Sequence, residues 1–268
     1  MKITHYGYNA FLVEAGATKF AIDPGQHLAL FDLRSLIPES EWPTITHIVV
    51  THGDPDHSWQ ADRVAAASGA HVICGTGLRK IENGRTLLVA PRGRELSSWV
   101  EFDRVTALDV GESATLDGVG FRALKAVHGA IQIPLLGMTL ERRPGPGERI
   151  GLGATGFEIK LDGRMLVNLG DSLLQPEWAG LAPDVLMVPI GGIVPIGGIV
   201  SMDVPEALEA VRLIAPRCVI PCHYNVPFLW KKRVAIADDA TFKREAEQLG
   251  IDCRIMRPGD EVVLSSGV

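Results

Sequence analysis

The segment with the clearest chemistry is a short run that holds four potential metal ligands. Imidazole nitrogens and carboxylate oxygens together suit a hard or borderline divalent ion. The run lies where an apolar, strand-like stretch gives way to a predicted helix, and a loop at such a junction can turn several side chains toward one point. These residue types therefore predict a metal site. In order, the run reads Thr51-His52-Gly53-Asp54-Pro55-Asp56-His57.

Three more residues of the same types stand far along the chain. His128, Asp171 and His223 each follow an apolar run with the composition of a buried strand. Because the ends of neighbouring strands meet at one rim of a sheet, we expect all three to join the first four. A charged aspartate at the end of a buried strand also needs a partner, and a metal ion is one.

The elements that must position these residues are many short apolar strands and a few helices. A helix is predicted over residues 55–68, with Pro55 in its first turn and Gly69 after its end. Two further helices are predicted, one after the capping box at residues 203–206 and one over residues 240–250. The predicted strands span residues 2–7, 10–15, 19–23, 46–51, 71–74, 105–110, 113–116, 120–128, 157–161, 165–169, 184–190, 217–221, 253–256 and 261–264.

Strands dominate both halves of the chain, and the helices are inserted among them. This order predicts an α/β fold in which two mixed sheets pack together with helices outside, an αββα sandwich. No linker rich in Pro, Gly and Ser separates two units, and we therefore expect one domain over residues 1–268.

The composition narrows the classes of partner. The chain has 26 basic and 32 acidic residues and a net charge of −6, so general nucleic-acid binding is not expected. No apolar run reaches the ~18 residues that span a bilayer, and from the pattern of residues 1–5 we expect no signal peptide. The four cysteines are too few and scattered for a disulfide framework, which indicates the cytoplasm. We expect a small-molecule substrate, and homo-oligomer formation stays open.

Taken together, these motifs resemble those of the metallo-β-lactamase-fold hydrolases. That superfamily carries His-x-His-x-Asp-His, then a distant His, an Asp and a last His. The narrower likeness is to the branch of small bacterial and archaeal metal-dependent hydrolases that includes ascorbate-6-phosphate lactonase, and it runs from Met1 to about Asn225. The motifs that carry it are Ile22-Asp23-Pro24, Ala126-Val127-His128, Gly170-Asp171-Ser172, Pro189-Ile190-Gly191-Gly192 and Ile220-Pro221-Cys222-His223-Tyr224-Asn225.

The resemblance implies two divalent ions, Zn, Mn or Fe, at the rim of the sandwich. Asp171 would bridge the ions, and the hydroxide bound between them would attack an ester-like bond of a lactone, phosphodiester or thioester. Asp56 and Asp171 are then the candidate catalytic carboxylates. Asp23 would orient a ligand histidine by a hydrogen bond. By position, one ion would take His52, Asp54 and His128, and the other Asp56, His57 and His223.

Three features depart from the superfamily pattern. Asp54 stands where the superfamily has its second His, and it is either a ligand or the N-cap of the helix at Pro55. Tyr8 stands where the branch usually has a His near the pocket. The tandem Pro-Ile-Gly-Gly-Ile-Val at residues 189–200 lengthens a loop. It would either line an apolar pocket or subunit interface together with residues 131–136, or continue a buried strand. Tyr224 and Asn225 are candidate substrate contacts.

Two other functions remain as alternatives to hydrolysis. Some di-iron members of the superfamily carry a carboxylate at the position of Asp54 and act on O2 or NO, and here a separate protein would have to supply electrons. A non-catalytic metal-binding protein with the same fold is the second alternative, although the near-complete ligand set argues against it.

Overall fold

The structure of the protein is a computed structural model that describes residues 1–27, 34–82, 85–89, 99–101, 104–129, 131–135, 138–142, 151, 153–194, 198–228 and 231–264. Its helices are α1 (Pro55–Ser58), α2 (Ala61–Ser68), α3 (Val204–Ile214) and α4 (Asp239–Gln248), with 3-10 turns at Glu39–Thr44, Thr76–Leu78 and Pro176–Trp178. In chain order the strands are β1 (Lys2–Gly7), β2 (Ala10–Ala15), β3 (Thr18–Ile22), β4 (His47–Val50), β5 (His71–Gly75), β6 (Arg79–Glu82), β7 (Arg85–Val89), β8 (Trp99–Glu101), β9 (Val105–Leu108), β10 (Ser113–Leu116), β11 (Val119–Lys125), β12 (Ile131–Leu135), β13 (Met138–Arg142), β14 (Thr155–Leu161), β15 (Arg164–Asn168), β16 (Val185–Pro189), β17 (Ile193–Val194), β18 (Gly198–Ile199), β19 (Cys218–Cys222), β20 (Asn225–Phe228), β21 (Lys231–Ala235), β22 (Asp252–Cys253) and β23 (Glu261–Val263).

Two seven-stranded sheets form the centre of the fold. Their strand orders are β23-β1-β2-β3-β4-β5-β9 and β10-β11-β14-β15-β16-β19-β22. Each sheet is mixed, because antiparallel strands occupy one part of it and parallel strands the other. In the first sheet the pairs from β3 to β9 are parallel, and in the second the pairs from β15 to β22 are parallel.

The two sheets bury their facing sides against each other. Along β2, for example, Phe11 and Val13 enter the core between the sheets, whereas Leu12 faces the outer layer. This alternation follows from the two-residue period of a strand. Phe121 of β11 and Phe157 of β14 meet the first sheet from the opposite side. Because both faces of the central strands are covered, their sequences are mainly apolar, as in β16, where all five residues are apolar and buried.

Helices cover the outer faces of both sheets. Val64 of α2 and Trp42 of the 3-10 turn pack on the outside of the first sheet. Val211 of α3 and Phe242 of α4 pack on the outside of the second. The layers therefore run helix, sheet, sheet, helix, and the predicted αββα sandwich is confirmed.

The helix predicted over residues 55–68 is divided into α1 and α2. The backbone N–H of Gln60 donates to the carbonyl of Pro24 at 3.0 Å and therefore leaves the helical hydrogen-bond ladder. Gly25 packs against the same turn so closely that an added Cβ would lie 1.9 Å from the carbonyl oxygen of Asp56. The crossing segment at residues 24–25 thus interrupts the helix. Gly69 lies just past the end of α2, as predicted, and its backbone is left-handed.

Polar residues that follow the ends of several strands lie together at one rim of the sandwich. Asp23 directly follows β3, and His52 lies two residues after β4, which is parallel to β3. Asp171 lies three residues after β15 and His223 directly after β19. His128 does not end its strand as predicted, because β11 stops at Lys125 and a loop carries His128 onward.

That loop is held in place by two backbone hydrogen bonds. The N–H of Val127 donates to Ser172 Oγ at 3.0 Å, and the N–H of Gly129 donates to the carbonyl of Val200 at 2.9 Å. His128 is therefore tied on one side to the segment that carries Asp171.

The described residues of the tandem after Gly192 form two short strands that are separate from β16. These strands, β17 and β18, pair antiparallel, and β18 pairs with β12, so the four-stranded order is β13-β12-β18-β17. The two apolar segments that the sequence analysis placed together are thus joined by backbone pairing, although residues 136 and 195–197 lie outside the described part. Among the described residues, no helix has the length and apolarity required to cross a membrane.

The capping box of α3 generates a stability prediction. Asp203 accepts a hydrogen bond from the backbone N–H of Glu206 at 2.9 Å, and the Glu206 carboxylate accepts one from the backbone N–H of Asp203. Asp203→Ala should lower the free energy of unfolding by about 1 kcal/mol in a denaturant titration. Glu209→Ala, which removes an exposed carboxylate from the same helix, should change it by at most about 0.5 kcal/mol. Equal effects of the two substitutions would contradict a capping role.

Candidate metal centre

The rim brings together the seven residues that the sequence analysis proposed as ligands. Five of them are buried, and Asp54 and His128 are half-buried. Buried imidazoles and carboxylates at this density require partners for their polar atoms. Their contacts divide them into two clusters that share Asp171.

The first cluster is formed by His52, Asp54 and His128. Asp54 Oδ2 lies 3.4 Å from His52 Nε2 and 3.4 Å from His128 Nε2. Ligand atoms of His52, His128 and Asp171 also lie within 4.8 Å of one another. One carboxylate oxygen therefore faces two imidazole nitrogens across a small space.

The second cluster is formed by Asp56, His57 and His223. Asp56 Oδ2 lies 3.5 Å from His57 Nε2 and 3.2 Å from His223 Nε2. The imidazole rings of His57 and His223 are nearly parallel, with centroids 5.2 Å apart. Here too a carboxylate oxygen faces two imidazole nitrogens.

Asp171 lies between the two clusters. Its Oδ2 is 3.1 Å from His223 Nε2, 3.6 Å from His57 Nε2 and 4.0 Å from His128 Nε2. This carboxylate therefore contacts the second cluster and reaches the first.

The distances fit donors that face a shared divalent ion. Two ligand atoms bound at about 2.1 Å to one ion lie about 3.0–3.5 Å apart at tetrahedral or octahedral angles. Most of the contacts above fall in that range. In addition, His52 Nε2, His57 Nε2 and Asp171 Oδ1 are buried and make no hydrogen bond to any residue that the structure describes, a state that an ion would relieve. The donor set therefore fits divalent ions in both clusters.

Hydrogen bonds at the far side of the rings fix the orientation of three histidines. Nδ1 of His57 lies 2.7 Å from Asp23 Oδ2, and Nδ1 of His128 lies 2.9 Å from the carbonyl of Gly129. Nδ1 of His52 lies 3.1 Å from Thr51 Oγ1, whose own proton goes to Asp23. When each Nδ1 carries the proton, each Nε2 keeps its lone pair for the centre, as a metal ligand requires.

The charges of the second cluster are strongly coupled. Burial alone would lower the pKa of His57, but the carboxylates of Asp171, Asp56 and Asp23 together raise it well above its usual value. Burial would likewise raise the pKa of Asp171, but His223 and His57 hold it well below the usual range. The site thus favours positive charge at its centre, whether from protons or from a divalent ion.

Asp23 is the buried support of this arrangement. Its carboxylate accepts four hydrogen bonds, from Asn9 Nδ2 (2.6 Å), the N–H of Thr51 (2.7 Å), Thr51 Oγ1 (2.6 Å) and His57 Nδ1 (2.7 Å). The sequence analysis assigned Asp23 to orient a ligand histidine, and in the structure it contacts His57. Asn9 and Thr51 were not among the predicted site residues. A signal for Asn9 existed in its polar amide next to the apolar strand β2.

Asp54 occupies the N-cap position of α1 without capping it. Its side chain makes no hydrogen bond to the helix backbone. Instead, Oδ1 accepts a hydrogen bond from the N–H of Gly151 at 3.0 Å, and Oδ2 faces His52 and His128. The prediction that the Asp54 side chain caps the helix, one of the two alternatives from the sequence, is therefore wrong. The carboxylate instead points at the first cluster.

The remaining predicted residues differ in their surroundings. Tyr8 is buried, and its ring centroid lies 5.5 Å from that of His223 in an edge-on contact. Tyr224 is also buried, but its hydroxyl donates to Asp239 at the start of α4 at 3.0 Å. Asn225 begins β20 and is half-buried. Tyr8 thus lies against the second cluster, whereas the Tyr224 hydroxyl is bound to the helical layer.

The support by Asp23 generates a prediction about metal affinity. In Asp23→Asn an amide replaces the carboxylate and cannot accept all four hydrogen bonds, so the Nδ1 proton of His57 loses its fixed position. We expect zinc affinity to fall by about 10–100-fold, measured by chelator competition. Glu14→Gln, which neutralises a half-buried carboxylate on the same sheet, is the matched control and should leave affinity unchanged. Wild-type affinity in Asp23→Asn would refute this role.

Comparison with known proteins assigns the chain to a family. The Beta-lactamase superfamily domain matches residues 2–223. A UPF0173 metal-dependent hydrolase of Carboxydothermus hydrogenoformans is 30% identical over 268 residues, covering 98% of this chain and 100% of the relative.

Solved structures share the fold over nearly the whole chain. Igni18, described as a novel metallo hydrolase from Ignicoccus hospitalis, has a TM-score of 0.67 at 24% identity. The match covers 99% of this chain and 99% of Igni18. CmlA, a diiron β-hydroxylase from Streptomyces venezuelae, has a TM-score of 0.67 at 16% identity, covering 98% of this chain and 54% of CmlA. From the domain match and the Carboxydothermus relative, the chain belongs to the UPF0173 family of metal-dependent hydrolases and has the metallo-β-lactamase fold.

Proposed function

We propose that this protein hydrolyses an ester-like bond with two divalent ions held at the rim of the sandwich. The observation that carries the proposal is the convergence of two clusters, each with one aspartate oxygen facing two imidazole nitrogens, on the shared carboxylate of Asp171. Metal-dependent hydrolysis is the activity in the names of the family's members.

In this proposal each cluster binds one ion. His52, Asp54 and His128 hold the first, and Asp56, His57 and His223 hold the second. Asp171 contacts both. The proposal is supported by the buried Nε2 atoms of His52 and His57, which make no hydrogen bond within the described part of the chain and lie 3.4 Å and 3.5 Å from the carboxylates of Asp54 and Asp56.

When bound, two such ions would polarise the carbonyl or phosphoryl oxygen of a substrate and would lower the pKa of a bound water toward neutrality. The chain's own residues then orient the reactants. Asp171 Oδ1 makes no hydrogen bond to the described residues and is available to orient the attacking water. In this proposal Asp56, whose Oδ2 lies 3.2 Å from His223 Nε2, is the second catalytic carboxylate, and as an ionised ligand it helps to orient the attacking water.

The substrate class that we propose is a small molecule with a lactone, phosphodiester or thioester bond. A lactone is favoured by the likeness of the motifs around Asp23, His128 and His223 to the branch that includes ascorbate-6-phosphate lactonase. Tyr8, which lies against His223, is the side chain that we expect to contact the substrate.

The identity of the ions depends on Asp54. A carboxylate oxygen is a harder donor than an imidazole nitrogen and adds a negative charge, so the first cluster suits manganese or iron better than a set with a third histidine would. Intrinsic affinities still favour zinc over both, and metal availability therefore contributes to which ion is bound.

A second candidate function is di-iron oxidation with a separate electron donor. The observation that favours it is the same Asp54 carboxylate, which faces two histidines and, with Asp56 and Asp171, gives the rim three carboxylates that face histidines. CmlA, which has a similar fold, is a diiron enzyme. Iron in the purified protein together with oxygen consumption would favour this function, whereas turnover of generic esters would favour hydrolysis and exclude a purely metal-binding role.

Removing the shared carboxylate tests the two-ion site. Asp171→Ala should abolish ester hydrolysis and lower the metal content measured by mass spectrometry, because both ions lose a ligand. Asp252→Ala, which removes an exposed carboxylate paired with Arg254, is the matched control and should retain both. An Asp171→Ala protein with full metal and full turnover would exclude the bridging role.

Asp54→His tests the source of the metal preference. The substitution restores the third histidine of the superfamily pattern, and we expect the ratio of zinc affinity to manganese affinity to rise about tenfold or more, since imidazole is the softer donor. Competition titrations with the two ions measure this ratio. An unchanged ratio would show that Asp54 does not bind the ion, and its contact with Gly151 would then be its main role.

A further inference from the structure

A pair of buried asparagines lies behind the candidate metal centre. Asn9 stands in the turn between β1 and β2 of the first sheet, and Asn168 is the last residue of β15 in the second. Their exposures are 0% and 1%. Asn9 Nδ2 donates to Asn168 Oδ1 at 2.9 Å, and Asn168 Nδ2 donates back to Asn9 Oδ1 at 3.0 Å. This reciprocal pair joins the two sheets directly.

Further contacts use the remaining hydrogen-bonding capacity of both amides. Asn9 Nδ2 also donates to Asp23 Oδ2 at 2.6 Å, and its Oδ1 also accepts from Cys222 Sγ at 3.3 Å. Asn168 Oδ1 also accepts from the N–H of Gly170 at 2.9 Å, and its Nδ2 also lies 3.4 Å from Met187 Sδ. A fully satisfied amide in a buried network has one favourable orientation. Rotating Asn9 would place its oxygen against the Asp23 carboxylate.

The partners of the pair adjoin three of the proposed ligands. Asp23 accepts the Nδ1 proton of His57. Gly170 directly precedes Asp171 and has a left-handed backbone, with φ of 58°. Cys222 directly precedes His223, whose φ of 56° is also left-handed. The amide pair therefore reaches the segments that set the positions of His57, Asp171 and His223.

We infer that the Asn9–Asn168 pair is a positioning element for the ion bound by Asp56, His57, His223 and Asp171. The inference rests on the proposed function in one respect, that this cluster binds an ion. The neutral amide of Asn9 supplies one N–H donor to Asp23 at 2.6 Å and a second to Asn168 at 2.9 Å, without adding a charge. It can thus hold the Asp23 carboxylate while leaving that carboxylate to fix the His57 tautomer. A cationic side chain there would compete with His57 for Asp23.

The competing explanation is that the pair only ties the sheets together. If the pair only linked the two sheets, its loss would lower the free energy of unfolding and leave the metal affinity of the folded protein unchanged. A positioning element would change metal affinity more at the ion of His57 and His223 than at the other. The pair is hydrogen-bonded to Asp23, Gly170 and Cys222, whereas Asp54, His52 and His128 make no hydrogen bond with it among the described residues. Stepwise zinc affinities of the folded protein separate the two explanations.

The test compares two substitutions of Asn9 with a core control. Asn9→Asp keeps the shape but removes both N–H donors and places a carboxylate against Asp23, and Asn9→Ala removes the amide without adding charge. Leu166→Ala truncates a buried core residue two positions before Asn168 and destabilises the same strand without touching the network. All proteins are titrated with zinc alone against a chelator, after circular dichroism has established that they are folded.

We expect both Asn9 variants to bind one of two zinc ions about 10–100-fold more weakly, with less than threefold change at the other, and Leu166→Ala to keep both wild-type affinities. Equal affinities in wild type and Asn9→Ala, or equal losses in Asn9→Ala and Leu166→Ala, would overturn the inference. A wild-type protein that binds two zinc ions but hydrolyses no ester would refute the proposed function alone. A wild-type protein that binds no zinc would refute both.

Discussion

The carboxylate of Asp23 is a buried charge on which the arrangement of the rim depends. Transferring an ionised carboxylate from water into a protein interior costs several kcal/mol unless hydrogen bonds replace its hydration. Here four donors do so, and they come from the β1–β2 turn, the end of β4 and helix α1. Those three segments must therefore converge at one point for the chain to fold. Their convergence also brings His52 and His57 to the same rim.

The backbone around this point is strained in a way that fits a functional site. Tyr8, Asp23 and His223 all have positive φ, of 48°, 46° and 56°, although none is a glycine. The backbone N–H of His223 donates to the carbonyl of Tyr8 at 2.9 Å, so two of the strained residues hold each other across the two sheets. Such conformations cost about 1–3 kcal/mol each and persist only where surrounding contacts determine them. Close packing at Gly191, where a Cβ would lie 2.0 Å from the carbonyl of His223, provides one such contact.

The layers of the fold could be predicted from the sequence, because apolar periodicity and turn residues are local signals. The first two strands have the predicted bounds, and the capping box of α3 is present as predicted. The interruption between α1 and α2 was not predictable, since it arises from Pro24, a residue more than thirty positions before Gln60. The loop that carries His128 beyond β11 likewise depends on contacts with Ser172 and Val200.

For the site, residue type identified the candidate ligands but not the groups that hold them. Asp23 was recognised through its resemblance to a family motif. Asn168 lies within the strand predicted over residues 165–169 and was given no role, because its partner Asn9 lies 159 positions away and no local pattern links the two. The orientation of Asp54 was also open in the sequence, where an aspartate before a proline suits a helix cap as well as a ligand. The two are distinguished by the contacts with His52 and His128 and by the side chain's lack of a hydrogen bond to the backbone of α1.

The central claim is that the rim binds two ions that share Asp171. A crystal structure of the protein grown with zinc, with anomalous diffraction recorded on both sides of the zinc absorption edge, tests it most directly. The account predicts two anomalous peaks about 3.5–4 Å apart, one beside His52 and His128, the other beside His57 and His223, and both in contact with Asp171. A single peak, or peaks away from these side chains, would contradict it.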